Sequence, residues 1–183
     1  MMKTVVVCEG HVDEVILRAG LAGDAESGMY TIVPAGGRSP ATSLARTHLA
    51  TGSERTALVV DADTTDQRKV AEQELILADL LALAGSRERF LVLQAVPEIE
   101  AWLFENEEFA KELFGASLSD QAMYRAKFEP CAVLSELLGL EGGAKPDAGA
   151  LSRLLASHDT SRLCNIRPIV ELRDFITAPV AAT

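Results

Sequence analysis

Five consecutive residues near the start of the chain, Thr4-Val5-Val6-Val7-Cys8, are β-branched or apolar, and the run stops abruptly at Glu9-Gly10. A strand with one wet face alternates polar and apolar side chains, so an unbroken run predicts a strand covered on both faces, as in a parallel sheet. Parallel neighbours must be joined by crossovers of a dozen or more residues, usually helical. The next segments have that form. Val12, Val15, Ile16, Ala19 and Ala22 share one helical face and Gly23 closes it, and Tyr30 to Val33 reads as a second strand. The loop Pro34-Ala35-Gly36-Gly37-Arg38-Ser39-Pro40 leads to a helix near Thr42 to Ala50. Thr56 to Val60 predicts a third strand, ending at Asp61. A helix from about Thr65 to Ala84 follows, capped by Thr64 or Thr65, with Leu75, Leu77, Leu80, Leu81 and Leu83 as core. Phe90 to Gln94 completes a four-stranded α/β pattern of right-handed crossovers.

No strand is predicted after Pro97. Pro97 suits the first turn of a helix carrying Glu98, Glu100 and Trp102, with Trp102 in the core. Further helices are expected over Asn106 to Phe114, Ser119 to Leu138 with a break at Pro130, Asp147 to Ser157, and Pro168 to Ile176. The expected organisation is an α/β domain over 1–105 with a helical extension over 106–183 packed on it. The Gly139 to Pro146 loop, with Gly142-Gly143, is a hinge candidate. No apolar run approaches the ~20 residues of a membrane span, and the expected compartment is the cytoplasm. Cys8, Cys131 and Cys164 are far apart and odd in number, which predicts incidental thiols, neither disulfides nor a zinc site.

Ligands of open parallel sheets collect beyond the carboxyl ends of the strands. Polar groups fall there four times: at Glu9-Gly10 with Asp13, at Gly36-Gly37-Arg38-Ser39, at Asp61-Ala62-Asp63, and at Glu98 with Glu100. Carboxylates brought together repel, and a divalent cation relieves the conflict. Oxygen ligands without a His or Cys pairing favour Mg²⁺ or Mn²⁺ over zinc. The net charge of −10 is the reverse of a basic nucleic-acid surface, so a phosphodiester substrate would have to be bridged by cations.

The run VVVCEGHVD from Val5 to Asp13, followed by Asp61-x-Asp63 after a later strand, resembles the TOPRIM domain of topoisomerases, primases and nucleases. The resemblance covers about residues 1 to 105. It implies a TOPRIM-like parallel four-stranded sheet, an acid/base or metal role for Glu9, and metal binding at Asp61 and Asp63, with Asp13 matching an acid that often follows the first Glu-Gly. VPEIEAWL, from Val96 to Leu103, is similar to the acidic third motif of the overcoming-lysogenization-defect nucleases, which implies a second ion near Glu98 and Glu100. Implied with it are a metal-dependent nuclease acting on DNA more than RNA, two Mg²⁺ or Mn²⁺ ions, and phosphodiester hydrolysis. The larger nucleases carry an ATPase domain. No GxxxxGK[ST] loop occurs here, so an ATPase would be a separate partner chain.

Each group also has an ordinary explanation. Glu9 or Asp13 can cap the first helix, Asp61 and Asp63 can be turn residues, and acids two apart on a helix, such as Glu98 and Glu100, cannot both point one way. Gly36, Gly37 and Arg38 could cradle a phosphate through amides and a guanidinium, or simply form a tight connection. Lys145 is a weak candidate for steadying transition-state charge, and His11 reads as an exposed polar residue. Asp61-Ala-Asp63-Thr64-Thr65 also resembles the DxDxT motif of haloacid-dehalogenase-type phosphatases, which would make Asp61 a nucleophile. A third alternative is a metal-binding regulatory module without catalysis. Surplus apolar surface on the third helix would suit a homodimer.

Overall fold

The computed structural model of the chain describes residues 3–22, 28–52, 54–140 and 145–179. Gly23 and the Gly142-Gly143 hinge candidate lie outside them. Strands β1 (Thr4–Cys8), β2 (Tyr30–Pro34), β3 (Arg55–Asp61) and β4 (Phe90–Ala95) form one parallel sheet in the order β2-β1-β3-β4. They alternate with α1 (His11–Gly20), α2 (Arg38–Thr51) and α3 (Gln67–Ala82). Beyond β4 lie a 3₁₀ turn at Ile99–Leu103 and then α4 (Glu107–Phe114), α5 (Asp120–Arg125), α6 (Pro130–Leu137), α7 (Ala148–Ala156) and α8 (Arg167–Thr177). The fold is α/β, a four-stranded all-parallel sheet flanked by helices with a helical C-terminal part, as the strand pattern predicts.

Alternation along the buried strands divides the core in two. Val5, Val7, Leu58, Val60, Phe90 and Val92 pack with Ala41, Ala45 and Leu49 of α2 and Leu77, Ala78 and Leu81 of α3. Val6, Cys8, Ala57, Val59, Leu93 and Ala95 face the other way, onto Ile16 and Leu17 of α1. One helix cannot cover a four-stranded face. The remaining apolar surface is closed by the C-terminal helices, whose Phe109, Leu134, Leu151, Leu172 and Ile176 belong to the same core as Val6. β1 and β3 are neighbours, but the helices that follow them leave to opposite faces, and such a divergence opens a crevice at the carboxyl ends.

Several local expectations are corrected. α2 starts at Arg38 rather than Thr42, because the first turn of a helix needs no amide from its proline, and Pro40 is accommodated there. Asp66, not Thr64 or Thr65, caps α3, its carboxylate accepting from Arg68 N at 3.0 Å. On α3 only Leu77, Ala78 and Leu81 form the buried stripe; Leu75 (67% exposed) and Leu83 (79%) point away from the sheet and are not core. Pro97 opens no helix. Its peptide bond with Val96 is cis, Glu98 stays extended (φ −141°, ψ 157°), and the 3₁₀ turn begins at Ile99. Trp102 is buried, as expected. Among the described residues no helix is long and apolar enough to cross a membrane.

Gly20 is where α1 meets α8: a Cβ there would lie 2.6 Å from Ile169 Cδ1 and 2.9 Å from its Cγ1. Gly20→Ala is therefore expected to destabilise the fold by about 1–3 kcal/mol, the usual cost of overpacking. Adding Ile169→Val, which removes Cδ1, should recover part of that loss in urea unfolding. Equal stability of Gly20→Ala and wild type would contradict the close packing.

Candidate metal centre

The crevice between the carboxyl ends of β1 and β3 is a cleft of about 570 Å³. Glu9 leaves the end of β1, and its Oε1 accepts the amide of Asp61 at 3.0 Å, tying the two strand ends together across 52 residues. Glu9 does not cap α1. That role falls to Asp13, whose Oδ2 accepts the amides of Glu9 (2.9 Å) and Gly10 (3.0 Å). Asp61 ends β3, and its Oδ1 accepts Ile99 N at 2.8 Å. Glu98 Oε2 accepts Cys131 N at 3.2 Å from the start of α6. In all four residues the hydrogen bonds from other residues fall on a single carboxylate oxygen. Each carboxylate is thereby oriented by main chain, with its second oxygen free of such a donor among the described residues.

Glu100 joins them, buried to 7% exposure. The prediction that Glu98 and Glu100 diverge is corrected. Glu98 is still extended when Glu100 is already in the 3₁₀ turn, so helical spacing does not apply, and carboxylate oxygens of both lie within 4.8 Å of each other and of Cys131 Sγ. Cys131 is the residue that sequence reasoning missed. It comes from the helical part, 33 residues beyond Glu98, and nothing in its local sequence marks it.

Asp63 lines the rim and is more exposed, at 68%. It adopts φ 52°, an unusual setting for a residue other than glycine, where its amide donates to Pro97 O at 2.8 Å. Arg38 bridges the rim: Nη2 donates to Asp63 Oδ2 at 2.7 Å and to the Asp61 carbonyl, and Nε lies 3.7 Å from Glu9 Oε1. The amide cradle expected at Gly36 and Gly37 is not formed, because both amides donate to the Glu9 carbonyl, at 2.7 and 2.8 Å. That turn, with φ 87° at Gly36 and 125° at Gly37, instead aims Arg38 at the acids. Lys145 also lines the cleft. His11 is an exposed side chain at the mouth, paired to Glu14.

Arg38 reaches Glu9 and Asp63 but leaves the deeper acids without a cation. Among the described residues Asp13, Asp61, Glu98 and Glu100 take part in no ion pair. Burial, followed by the charges of Asp13, Glu100 and Glu9, pushes Asp61 up to about 8. Burial with Glu98 and Asp13 pushes Glu100 up to about 7, and burial also raises Asp13 against its two amide donors. Burial and the neighbouring Glu100 and Glu98 push the Cys131 thiol up to about 12. The arrangement suits a cation. Glu98, Glu100 and Cys131 could hold a metal ion, and the hard second oxygens of Glu9, Asp13 and Asp61 are of the kind divalent ions take.

A stability change with pH follows, and its sign is fixed. In the unfolded chain Asp61 and Glu100 would titrate near ~4. In the folded chain they hold protons to about 8 and 7, so the folded state binds more protons in between. Unfolding free energy then falls as pH rises from ~4 to ~8 and levels off above. Melting of the metal-free protein is expected to be lower at pH 8 than at pH 5.5, with Mn²⁺ at pH 8 restoring it. A melting temperature that rises across that interval without metal would contradict the uncompensated acids.

No family model matches the chain, and no curated protein matches it. What the fold and the site define is a class: a parallel α/β sheet carrying an acidic cleft at the carboxyl ends of its strands.

Proposed function

We propose that the chain is a TOPRIM-type, divalent-metal-dependent hydrolase of nucleic-acid phosphodiesters, with DNA as the preferred polymer. One observation carries most of this reading. Glu9 with Asp13, Asp61, and Glu98 come from three separate segments, each residue anchored through one oxygen by main-chain amides and each lining the same cleft. Acids retained merely for capping would have no reason to converge where they repel. The order Glu-Gly, Asp-x-Asp, Glu-x-Glu along the chain is that of the resemblance.

Glu9, Asp13 and Asp61 would hold one Mg²⁺ or Mn²⁺, and Glu98 and Glu100 a second ion. Bound ions supply an activated water and charge neutralisation at the leaving oxygen. The chain's own residues do the rest. Arg38, swung from Asp63, offers its guanidinium to a non-bridging phosphate oxygen, and Lys145 adds a positive charge from the cleft lining. At a net charge of −10 the chain attracts a polyanion only through its ions, or through a partner such as a separate ATPase. The phosphatase alternative makes Asp61 the nucleophile and gives no role to Glu9 and Asp13, which line the same cleft.

Purified protein incubated with supercoiled DNA, single-stranded DNA and RNA under Mg²⁺, Mn²⁺ or EDTA tests the proposal, with Asp61→Asn as control for contaminating nuclease. Metal-dependent cleavage lost in the variant supports it. Equal inactivity of both proteins on all three polymers overturns the claim for the isolated chain.

A further inference from the structure

Among the side chains that line the cleft, Cys131 contributes the one sulfur atom. Its Sγ and carboxylate oxygens of Glu98 and Glu100 all lie within 4.8 Å of one another. The backbone that presents the thiol also fixes one of the acids, since Cys131 N donates to Glu98 Oε2 at 3.2 Å. Pro130 opens α6 immediately before it, which sets the direction of that backbone. Glu100 supplies a second, separate observation. Its side chain is 93% buried (7% exposed), and among the described residues nothing beyond Cys131 and its own amide donates to its carboxylate. Among the described residues no ion pair reaches it. A carboxylate that deep without a cation costs stability, and an apolar residue would pack there more cheaply.

Two carboxylates and a thiolate are not a magnesium set, because Mg²⁺ takes oxygen and retains water. They suit zinc, cobalt or ferrous iron, which accept sulfur and oxygen together. We propose that Glu98, Glu100 and Cys131 form a mixed oxygen and sulfur position for a borderline transition-metal dication, distinct in metal preference from the oxygen-only position of Glu9, Asp13 and Asp61. Binding breaks the Cys131 S–H bond, forms a sulfur–metal bond and releases the proton to solvent. The inference rests on the proposed reading of the cleft as an ion site, but not on what polymer, if any, is cut.

Titration of the metal-free full-length protein with Co²⁺ tests it, with absorption spectra and equilibrium dialysis on the same samples. Wild type is expected to develop a sulfur-to-cobalt charge-transfer band in the near ultraviolet that saturates with binding. Cys131→Ser should lose the band and bind Zn²⁺ at least about tenfold more weakly, while Mg²⁺ binding stays unchanged and shows that the variant is folded. Cys164→Ser should keep the band. Cobalt bound without the band, or a band that survives Cys131→Ser, overturns the sulfur ligand alone. No cobalt bound at all overturns both this inference and the ion-binding cleft. A band in a protein that cleaves no nucleic acid supports the inference and removes only the nuclease reading.

Discussion

Asp61→Asn is expected to lose metal-dependent cleavage by at least about a thousandfold while making the metal-free protein more stable. The loss follows from removing a charged ligand, since metal charge stabilisation is worth several kcal/mol and each 1.36 kcal/mol is tenfold in rate. The stability gain follows from the same geometry read without metal. Asn keeps an oxygen to accept Ile99 N at the position Oδ1 now holds, 2.8 Å away, but carries no charge among Asp13, Glu100 and Glu9. At pH 8 the gain should be about 1–2 kcal/mol, solvent in the open cleft screening the rest of the repulsion. The opposite signs separate function from structure: a purely structural Asp61 would lose stability on substitution, as broken charge-assisted bonds do. Urea unfolding in EDTA together with cleavage in Mn²⁺ reads both. Lower stability with intact cleavage would assign Asp61 to the scaffold.

Trp102→Ala should cost about 3–5 kcal/mol, the range for deleting a buried aromatic. Trp102 is 2% exposed in the 3₁₀ turn and shares its core with Val6 of the sheet and Leu134 and Leu172 of the helical part. Against a typical total of about 5–15 kcal/mol, that is a large fraction. The effect should extend to the cleft, because the same turn carries Glu100 and follows Glu98 directly, so weaker Mn²⁺ binding is expected in whatever fraction stays folded. A cost under ~1 kcal/mol would mean that the turn is held by something other than its tryptophan.

The strands were legible because β-branched runs stop at acids or turns, and the alternation of Val5, Val6 and Val7 between two cores agrees with burial on both faces. Glu9 and Asp61 were legible as neighbours because parallel topology puts strand ends together. Three things were not. The segment around Pro97 has the composition of a helix, but Pro97 O and Ile99 N are taken by Asp63 and Asp61, which keeps Glu98 extended and lets it reach Cys131 N. Gly36 and Gly37 look like a phosphate loop, yet their amides serve Glu9 O. Cys131 reaches the cleft only through tertiary packing of α6, which no local pattern encodes. Leu75 and Leu83 show the converse limit: composition marks them apolar, and only the rotation of α3 on the sheet leaves them exposed.

The central claim is that the acids at the carboxyl ends of β1, β3 and β4 form a divalent-cation site. Titrating metal-free protein with Mn²⁺ at neutral pH and following the free ion by electron paramagnetic resonance tests it without requiring a substrate. Saturable binding of at least one ion per chain, weakened at least about tenfold by Asp61→Asn, is the predicted result. A free-ion signal undiminished by protein up to millimolar Mn²⁺, or binding indifferent to Asp61→Asn, would contradict it.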